Sequence, residues 1–374
     1  MLCRFGILTY TLAHEVSLFH PDLAYSRSQK MSFEPTRSDQ SEAFIDLAYR
    51  LILQRPADAA GISHYKKAFA AGLPPVELLK TLLNSDEYKQ KHSVYDYTTD
   101  PEIAPYLTPT LKELSSRLQA CGEIELDRYE KSFSETFVER DQLVIGQREY
   151  GPVHKQRFWE LVNAFALLIE GNANPKVLEI GASEFSGLYK TLFPHILLDI
   201  LDRPYADDYV GFTEAVCRRI ARCETFYAVD LADYRMFGPA LEKLPQYDLI
   251  LFTEVLEHLP IHPLDLLPSL IRRLTSSGAI YLTTPNCFSY HKLRQIESRW
   301  NPQMLFPKQD GNWDAHYHYR EYSAKELFKF INEAGGQIQG FYFSDCWDEA
   351  KEIDTPLPLE ERGNMVFVVK QRGA

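Results

Sequence analysis

From Lys176 onward, short apolar runs alternate with stretches of helical spacing, and nothing else in the chain constrains the fold as tightly. The first five runs are Val177–Ile180, Ile196–Ile200, Phe226–Val229, Leu249–Phe252 and Ile280–Thr283. Ile338–Phe343 and Met365–Val369 follow. Parallel strands cannot be joined by a tight turn, so strand–helix alternation predicts βαβ units. Such units form a parallel sheet covered by helices on both faces. The expected fold is an α/β, doubly wound, mostly parallel seven-stranded sheet with a small all-α domain before it. One of its helices spans Leu264–Leu274, with Gly278 beyond its end.

Upstream, residues 1–42 read as an arm and polar linker, and residues 1–30 either as that arm or as sequence preceding a start at Met31. Residues 43–92 have helical periodicity. Phe44, Leu47, Ala48 and Leu51 repeat at i, i+3, i+4, i+7. Pro56 ends that helix, Gly72 closes a second, and a third starts at Pro74–Pro75 with Val76, Leu79, Leu82 and Leu83 on its apolar face. This stretch carries an aromatic-bearing helix, then R-P-x-D-x-x-G at Arg55–Gly61, then a serine before an acidic-aromatic end. It resembles a helical domain of unknown function that recurs in bacterial exopolysaccharide-locus and secreted repeat proteins. The resemblance implies an interaction module, with a protein partner possible, and no chemistry. Asp58 is expected to stabilise the turn. Residues 93–144 read as a proline-bearing connector with a helix near 110–120, and residues 145–374 as the sheet domain. A long amphipathic helix is expected at 153–170, ending at Gly171.

Composition narrows the function. Of the 374 residues, 40 are Lys or Arg and 52 Asp or Glu, a formal net charge of −12. Phosphate-backbone binding needs clustered cations, so no nucleic-acid partner is expected. No apolar run reaches the ~18 residues of a membrane span. The start has a short apolar stretch, Gly6–Ala13, soon followed by Glu15 and lacking an A-x-A site, so no secretory leader is expected. The six cysteines include no C-x-x-C pair, which predicts reduced thiols and a cytoplasmic location.

Open α/β sheets bind ligands at the carboxyl ends of their strands, and there the chemistry-bearing residues cluster. The first turn runs Val177-Leu178-Glu179-Ile180-Gly181-Ala182-Ser183-Glu184-Phe185-Ser186-Gly187. Gly181 lets backbone approach a ligand. Ser183 and Ser186 break a dinucleotide fingerprint, Phe185 breaks a hydrolase elbow, and there is no P-loop. The second strand places Asp199 where a carboxylate accepts hydrogen bonds from vicinal ribose hydroxyls, with Asp202 as the nearby competitor. The third ends in Asp230-Leu231, suited to an amino group and a flat apolar base. The fourth region, Tyr247 to Pro260, is the most specific segment. His258 and His262 are four residues apart, a metal-ligand spacing. Pro260 and Pro263 argue against one continuous helix, and no metal is expected.

Together, VLEIGAS, ILLDI, YAVDLAD, YDLILFTEVLEHLP, GAIYLTTPN and HYHYREYSAKELFKFINEAGG resemble a class I S-adenosylmethionine-dependent methyltransferase over residues 145–370. The EVLEHLP and H-x-R-x-Y-S-x-x-E-L patterns resemble small-molecule and sugar-directed members. The resemblance implies a seven-stranded sheet with its last strand antiparallel, and S-adenosylmethionine as cofactor. It places Glu179, Gly181 and Ser183 along the methionine part of the cofactor. Asp199 then holds the ribose, Asp230 and Leu231 the adenine, and Thr253 and Glu254 the floor near the sulfonium. Ser183 stands where the family often has a second glycine.

A sulfonium is already an activated donor, so alignment with the acceptor supplies most of the rate. A hydroxyl acceptor also benefits from a base, for which His258, His316 and His318 are the candidates, with Arg320 orienting the acceptor. Glu257 reads as a structural hydrogen-bond partner. Gln147 to Gly151 could close over the cofactor. Aromatics such as Tyr290, Trp300, Trp313 and Tyr317 suit sugar rings or bases. The expected acceptor is a small molecule or glycan: a hydroxyl or amine of a sugar, nucleotide sugar or surface glycan. A lipid, quinone or other metabolite is the rival acceptor, and a scaffold on a methyltransferase fold the rival of another class.

Overall fold

The structure, a computed structural model, describes residues 38–91, 96–117, 124–141, 150–183, 185–204, 213–303, 317–346 and 357–373. The expectations for residues 1–30, for Gln147, Arg148 and Glu149, for Trp313 and for His316 lie outside the described residues. The described residues fall into two compact units, 38–91 and 96–373.

The first unit packs α1 (Ser38–Leu53), α2 (Ala59–Ala70), α3 (Pro75–Asn84) and α4 (Asp86–Lys91). The buried stripe of α1 is Ile45, Ala48, Tyr49 and Ile52, set one residue away from the expected face. Leu51 points outward at 38 % exposure, as does Val76 of α3 at 39 %. One residue is 100° of helix rotation, so a one-place slip moves the stripe to its flank, where Phe44 and Leu47 are only partly buried. The R-P-x-D-x-x-G segment is a built corner. Arg55 grips Glu87 with two parallel bonds of 2.7 and 2.8 Å, Nε to Oε1 and Nη2 to Oε2. The Asp58 carboxylate accepts from the Gly61 amide at 2.7 Å and caps α2. A Cβ on Gly61 would sit 2.6 Å from the Tyr49 hydroxyl.

The second unit holds one seven-stranded sheet in the order β3-β2-β1-β4-β5-β7-β6. Its strands are β1 (Lys176–Ile180), β2 (Leu197–Asp202), β3 (Thr225–Ala228), β4 (Tyr247–Thr253), β5 (Leu274–Pro285), β6 (Gly336–Ser344) and β7 (Asn364–Gln371). Each of the seven overlaps an expected run. β7 is antiparallel to both its neighbours, and every other pairing is parallel. The fold is therefore the doubly wound, Rossmann-like sheet of class I methyltransferases.

Strand alternation divides the core into two layers. Leu178, Ile250, Phe252, Ile280 and Leu282 face one layer. Val177, Leu249, Leu251 and Tyr281 face the other. Helices α5 (Leu111–Arg117), α6 (Leu126–Asp141), α7 (Tyr150–Leu168), α8 (Ser186–Leu192) and α9 (Glu214–Ile220) contribute Leu114, Phe133, Phe165, Leu188 and Cys217 to the second layer. The first layer receives Phe237 of α10 (Tyr234–Lys243), Leu266 of α11 (Pro263–Ile271) and Phe328 of α13 (Ala324–Glu333), while α12 (Tyr290–Glu297) follows β5. Residues 96–117 and 124–141 belong to this unit. Leu107 bridges to Phe341 and the Thr108 amide donates to its carbonyl at 2.9 Å.

Two local expectations are corrected. β2 does not stop at Ile200. Its register with β1 runs through Ile180 opposite Leu201, and its register with β3 reaches Asp202 opposite Ala228. Gly278 does not close a helix, because α11 ends at Ile271 and β5 begins at Leu274. Gly278 lies inside β5, where the ladder to β4 jumps from Tyr247–Leu274 to Leu249–Ala279. A Cβ there would stand 2.6 Å from the Tyr247 carbonyl oxygen and 3.0 Å from the Thr275 amide nitrogen. Backbone cannot yield as a side-chain tip does. Gly278→Ala is thus expected to cost about 1–3 kcal/mol, the usual range for overpacking, read as a lower urea midpoint with unchanged slope.

Candidate active site

The winding of the sheet reverses between β1 and β4, which opens a crevice at their carboxyl ends. The turn leaving β1 forms one wall. Gly181 has φ +78, a left-handed conformation that glycine adopts without cost. A Cβ on it would lie 2.7 Å from Val255 Cγ2, so the turn after β1 and the turn after β4 are in contact. Ser183 shapes the same turn: its amide donates to Ser186 Oγ at 2.9 Å and its hydroxyl accepts from the Phe185 amide.

Asp202 stands at the carboxyl end of β2. Its carboxylate accepts from the Ala182 amide at 3.0 Å and from its neighbour Arg203 at 2.7 Å. Burial pushes its pKa up to about 7, against the pull of those two amides, and nearby Asp230 raises it further. Glu179, inside β1, is pushed up to about 8, again chiefly by burial, with Asp202 adding repulsion and Ser186 and Tyr189 opposing through hydrogen bonds. One of its oxygens, Oε2, is buried without a hydrogen-bond partner among the described residues. Asp230 caps the next turn through the Ala232 amide at 2.8 Å, and Leu231 is buried beside it.

Asp199 is elsewhere. In register it faces Leu178, in the middle of β1. Its carboxylate takes the Tyr247 hydroxyl at 3.0 Å and lies 3.4 Å from Lys176 Nζ, both at the starts of their strands. Asp199 is 1 % exposed and anchors the amino-terminal end of the sheet. Asp202, and not Asp199, is therefore the acidic residue at the carboxyl end of β2. The sequence contained the signal: the apolar run continues through Leu201, and Asp202 is the first polar residue after it.

On the other wall, Thr253 ends β4 and Glu254 follows with φ +53, a strained conformation for a residue with a Cβ. Thr283 Oγ1 donates to Glu254 Oε1 at 2.6 Å, Asn364 Nδ2 donates to it at 2.9 Å, and Arg157 lies 3.7 Å from Oε2. Sequence reasoning missed Arg157 and its neighbour Glu160 on α7, because nothing in a helical apolar pattern marks an inward charge. Glu160 accepts from the Tyr342 and Ser344 hydroxyls at 3.0 and 2.8 Å, and burial raises its pKa. Arg157, Glu160, Thr253, Thr283 and Asn364 line one narrow cleft.

Beyond Val255, a single 3-10 turn, Leu256–His258, carries the next group. Glu257 is buried, and burial together with the nearby Glu254 carboxylate holds its pKa well above the carboxylate range. Thr284 Oγ1 donates to its Oε2 at 2.9 Å, in keeping with the structural role expected of it. His258 Nδ1 contacts the Tyr317 carbonyl at 2.9 Å, and His318 Nδ1 contacts Glu321 Oε1 at 2.7 Å. Their rings meet edge to face with centroids 4.7 Å apart. The structure thus brings His258 and His318 together. It keeps His262 apart, as the cap of α11 accepting from Leu264. Arg320 is committed to Glu326 at 2.5 Å.

Comparison with known proteins separates the two units. Residues 28–92 match the model of a domain of unknown function, DUF4214. No curated protein matches the chain. Among solved structures, an S-adenosylmethionine-dependent methyltransferase from Clostridium acetobutylicum ATCC 824 aligns at 12 % identity and TM-score 0.39, over 64 % of this chain and 99 % of that one. One from Archaeoglobus fulgidus aligns at 19 % and 0.37, over 60 % and 100 %. The N-methyltransferase NodS from Bradyrhizobium japonicum WM9 aligns at 14 % and 0.35, over 60 % and 99 %. These are likenesses of chain path at low identity and low score, and the fold itself is read from the order and register of the strands.

Proposed function

We propose that the chain is an S-adenosylmethionine-dependent methyltransferase acting on a hydroxyl or amine of a sugar, nucleotide sugar or surface glycan. One observation carries the reading: a glycine turn after β1 and carboxylates after β2 and β3 converge on the crevice where the sheet reverses. Asp202 takes the ribose hydroxyls, Asp230 and Leu231 the adenine, and Glu179, Gly181 and Ser183 the methionine part, with Thr253 and Glu254 below the sulfonium. The residues fit such a ligand. Carboxylates crowded together and pushed up in pKa are offset by a molecule carrying a sulfonium and an ammonium. The cofactor supplies an activated methyl group. The chain's part is to hold it in line with the acceptor and exclude water. His258 and His318 stand on the acceptor side, beyond Val255, as the described candidates for a base.

The acceptor class rests on two supports. The helical domain resembles modules of exopolysaccharide-locus proteins, which favours a protein or glycan partner for it. Phe288, Trp300 and Tyr319, all exposed, lie in the segment after β5 and offer flat apolar faces suited to sugar rings. A cytoplasmic setting agrees with the free thiols of Cys217, Cys223, Cys287 and Cys346. Among the described residues no helix is long and apolar enough to cross a membrane.

In a thermal-shift titration, S-adenosylmethionine and S-adenosylhomocysteine are expected to raise Tm by several degrees and NAD to leave it unchanged. A ligand at a hundredfold excess over Kd adds ~2.7 kcal/mol to the native state. No shift on folded protein would favour a scaffold role. Asp202→Asn is expected to weaken cofactor binding by about 1.5–3 kcal/mol, the range for hydrogen bonds to charged groups. Asp199→Asn is expected to lower Tm, through Tyr247 and Lys176, with affinity retained. Calorimetry on both variants separates these outcomes.

The raised pKa of Asp202 gives a pH signature. Ribose hydroxyls donate to the ionised carboxylate, so affinity should climb as pH rises through about 7 and level off above it. Asp202→Asn should flatten that climb. Without ligand the sign reverses. The folded chain holds a proton that the unfolded carboxyl, with its ordinary value of 3.8, releases, so this group subtracts stability as pH rises from 3.8 to about 7. Urea titrations at several pH values read this directly.

A further inference from the structure

We propose that Glu257, His258 and His318 form a binding site for a first-row divalent transition metal on the acceptor side of the crevice. One ligand atom from each of the three lies within 4.8 Å of the other two. Donors bound to one such ion at about 2.1 Å stand roughly 3 Å apart, so side-chain rotations of about 1 Å close the shell.

The hydrogen bonds around the rings prepare both histidines. His258 Nδ1 faces a carbonyl, which only accepts, so that nitrogen carries the proton and the lone pair sits on Nε2. His318 Nδ1 faces the Glu321 carboxylate, which sets the same tautomer. A carboxylate or carbonyl behind the imidazole is the usual support of a metal-bound histidine, because it fixes the ring and raises its basicity. Glu321 is itself held by Lys292. The amides of Tyr319 and Arg320 both donate to the Glu257 carbonyl, at 2.8 and 3.3 Å, which ties the loop carrying His318 to the 3-10 turn.

A second observation points to a missing ligand. Glu257 is 1 % exposed, and its Oε1 has no hydrogen-bond partner among the described residues. That oxygen lies 3.9 Å from His258 Nε2, inside the cluster. A buried, unsatisfied carboxylate oxygen is costly, and a cation supplies the missing interaction. Two imidazoles and one carboxylate suit the manganese-to-zinc series. Magnesium and calcium favour all-oxygen shells. His262, the partner suggested by spacing alone, takes no part. Three protein donors leave positions open on the metal for an oxygen of the acceptor. That last role rests on the methyl-transfer reading, narrows the acceptor to one presenting a hydroxyl, and replaces the base role of His258 and His318, whose Nε2 lone pairs are then on the metal. The site itself does not depend on it.

The test uses the full chain, stripped by a chelator and titrated with Co2+ while visible absorption is recorded. A d–d band saturating at one equivalent is expected. His318→Ala and Glu257→Gln should weaken binding at least a hundredfold, Glu321→Gln by about ten- to a hundredfold, and His262→Ala should change nothing. Circular dichroism reports folding, and because Glu257 is buried, His318→Ala is the deciding variant. No band at millimolar Co2+ on folded protein overturns the site, as does a band that survives both His258→Ala and His318→Ala. A cobalt band without any S-adenosylmethionine shift upholds the metal site and overturns methyl transfer. A cofactor shift without a band does the reverse.

Discussion

The parallel pairing of β1 with β4 is the constraint on which the rest of the site depends. Val177 lies opposite Leu249 and Ile180 opposite Phe252, all buried. From that pair the chain winds outward in two directions, which leaves a crevice at the β1–β4 junction, the place where open sheets of this winding bind their ligands. Val255 packs so close to Gly181 that the turns leaving the two strands touch. The centre of the candidate site hangs from these two strands: Glu179 and Gly181 from one, Thr253, Glu254 and the Glu257 turn from the other. Because side chains alternate across a strand, a one-residue slip in this ladder would exchange the two core layers and turn Glu179 to the opposite face.

The electrostatics of the crevice follow from the same geometry. Glu179 inside β1, Asp202 at the end of β2 and Glu257 in the turn after β4 are all buried beside the crevice, each held toward its neutral form mainly by loss of solvent. Isolated buried carboxylates would be a poor bargain for stability. They make sense beside a crevice that receives positive charge, and the chain's acidic balance matches such a ligand better than a polyanion.

What could be read from the sequence was whatever depends on local pattern. Seven apolar runs became seven strands, because period-two burial and flanking turns are local. Asp199 was misplaced because a strand's end is set by its neighbours. β2 runs on to Asp202 only because β1 and β3 continue to pair with it. The stripe of α1 slipped by one place since Phe44 and Ile45 look alike until α2 and α3 choose between them. Gly278 looked like a helix end, and it is a glycine for the Tyr247 carbonyl, a neighbour distant in sequence. The meeting of His258 with His318 lies deeper still, for it joins a turn after β4 to a loop after α12, a pairing no spacing rule contains.

The position of β7 has a consequence for synthesis. It follows every other strand in the sequence yet lies in the sheet between β5 and β6. While the ribosome is still making it, Ile280 to Thr283 form an open, apolar strand edge, the kind of edge that recruits other chains. The helical unit closes its core from neighbouring residues between Ile45 and Leu82, and so matures early from local contacts. The sheet waits for its final interior strand. The hazardous interval in the life of this protein is therefore the time between emergence of β5 and arrival of β7, when a holdase would find its most exposed target.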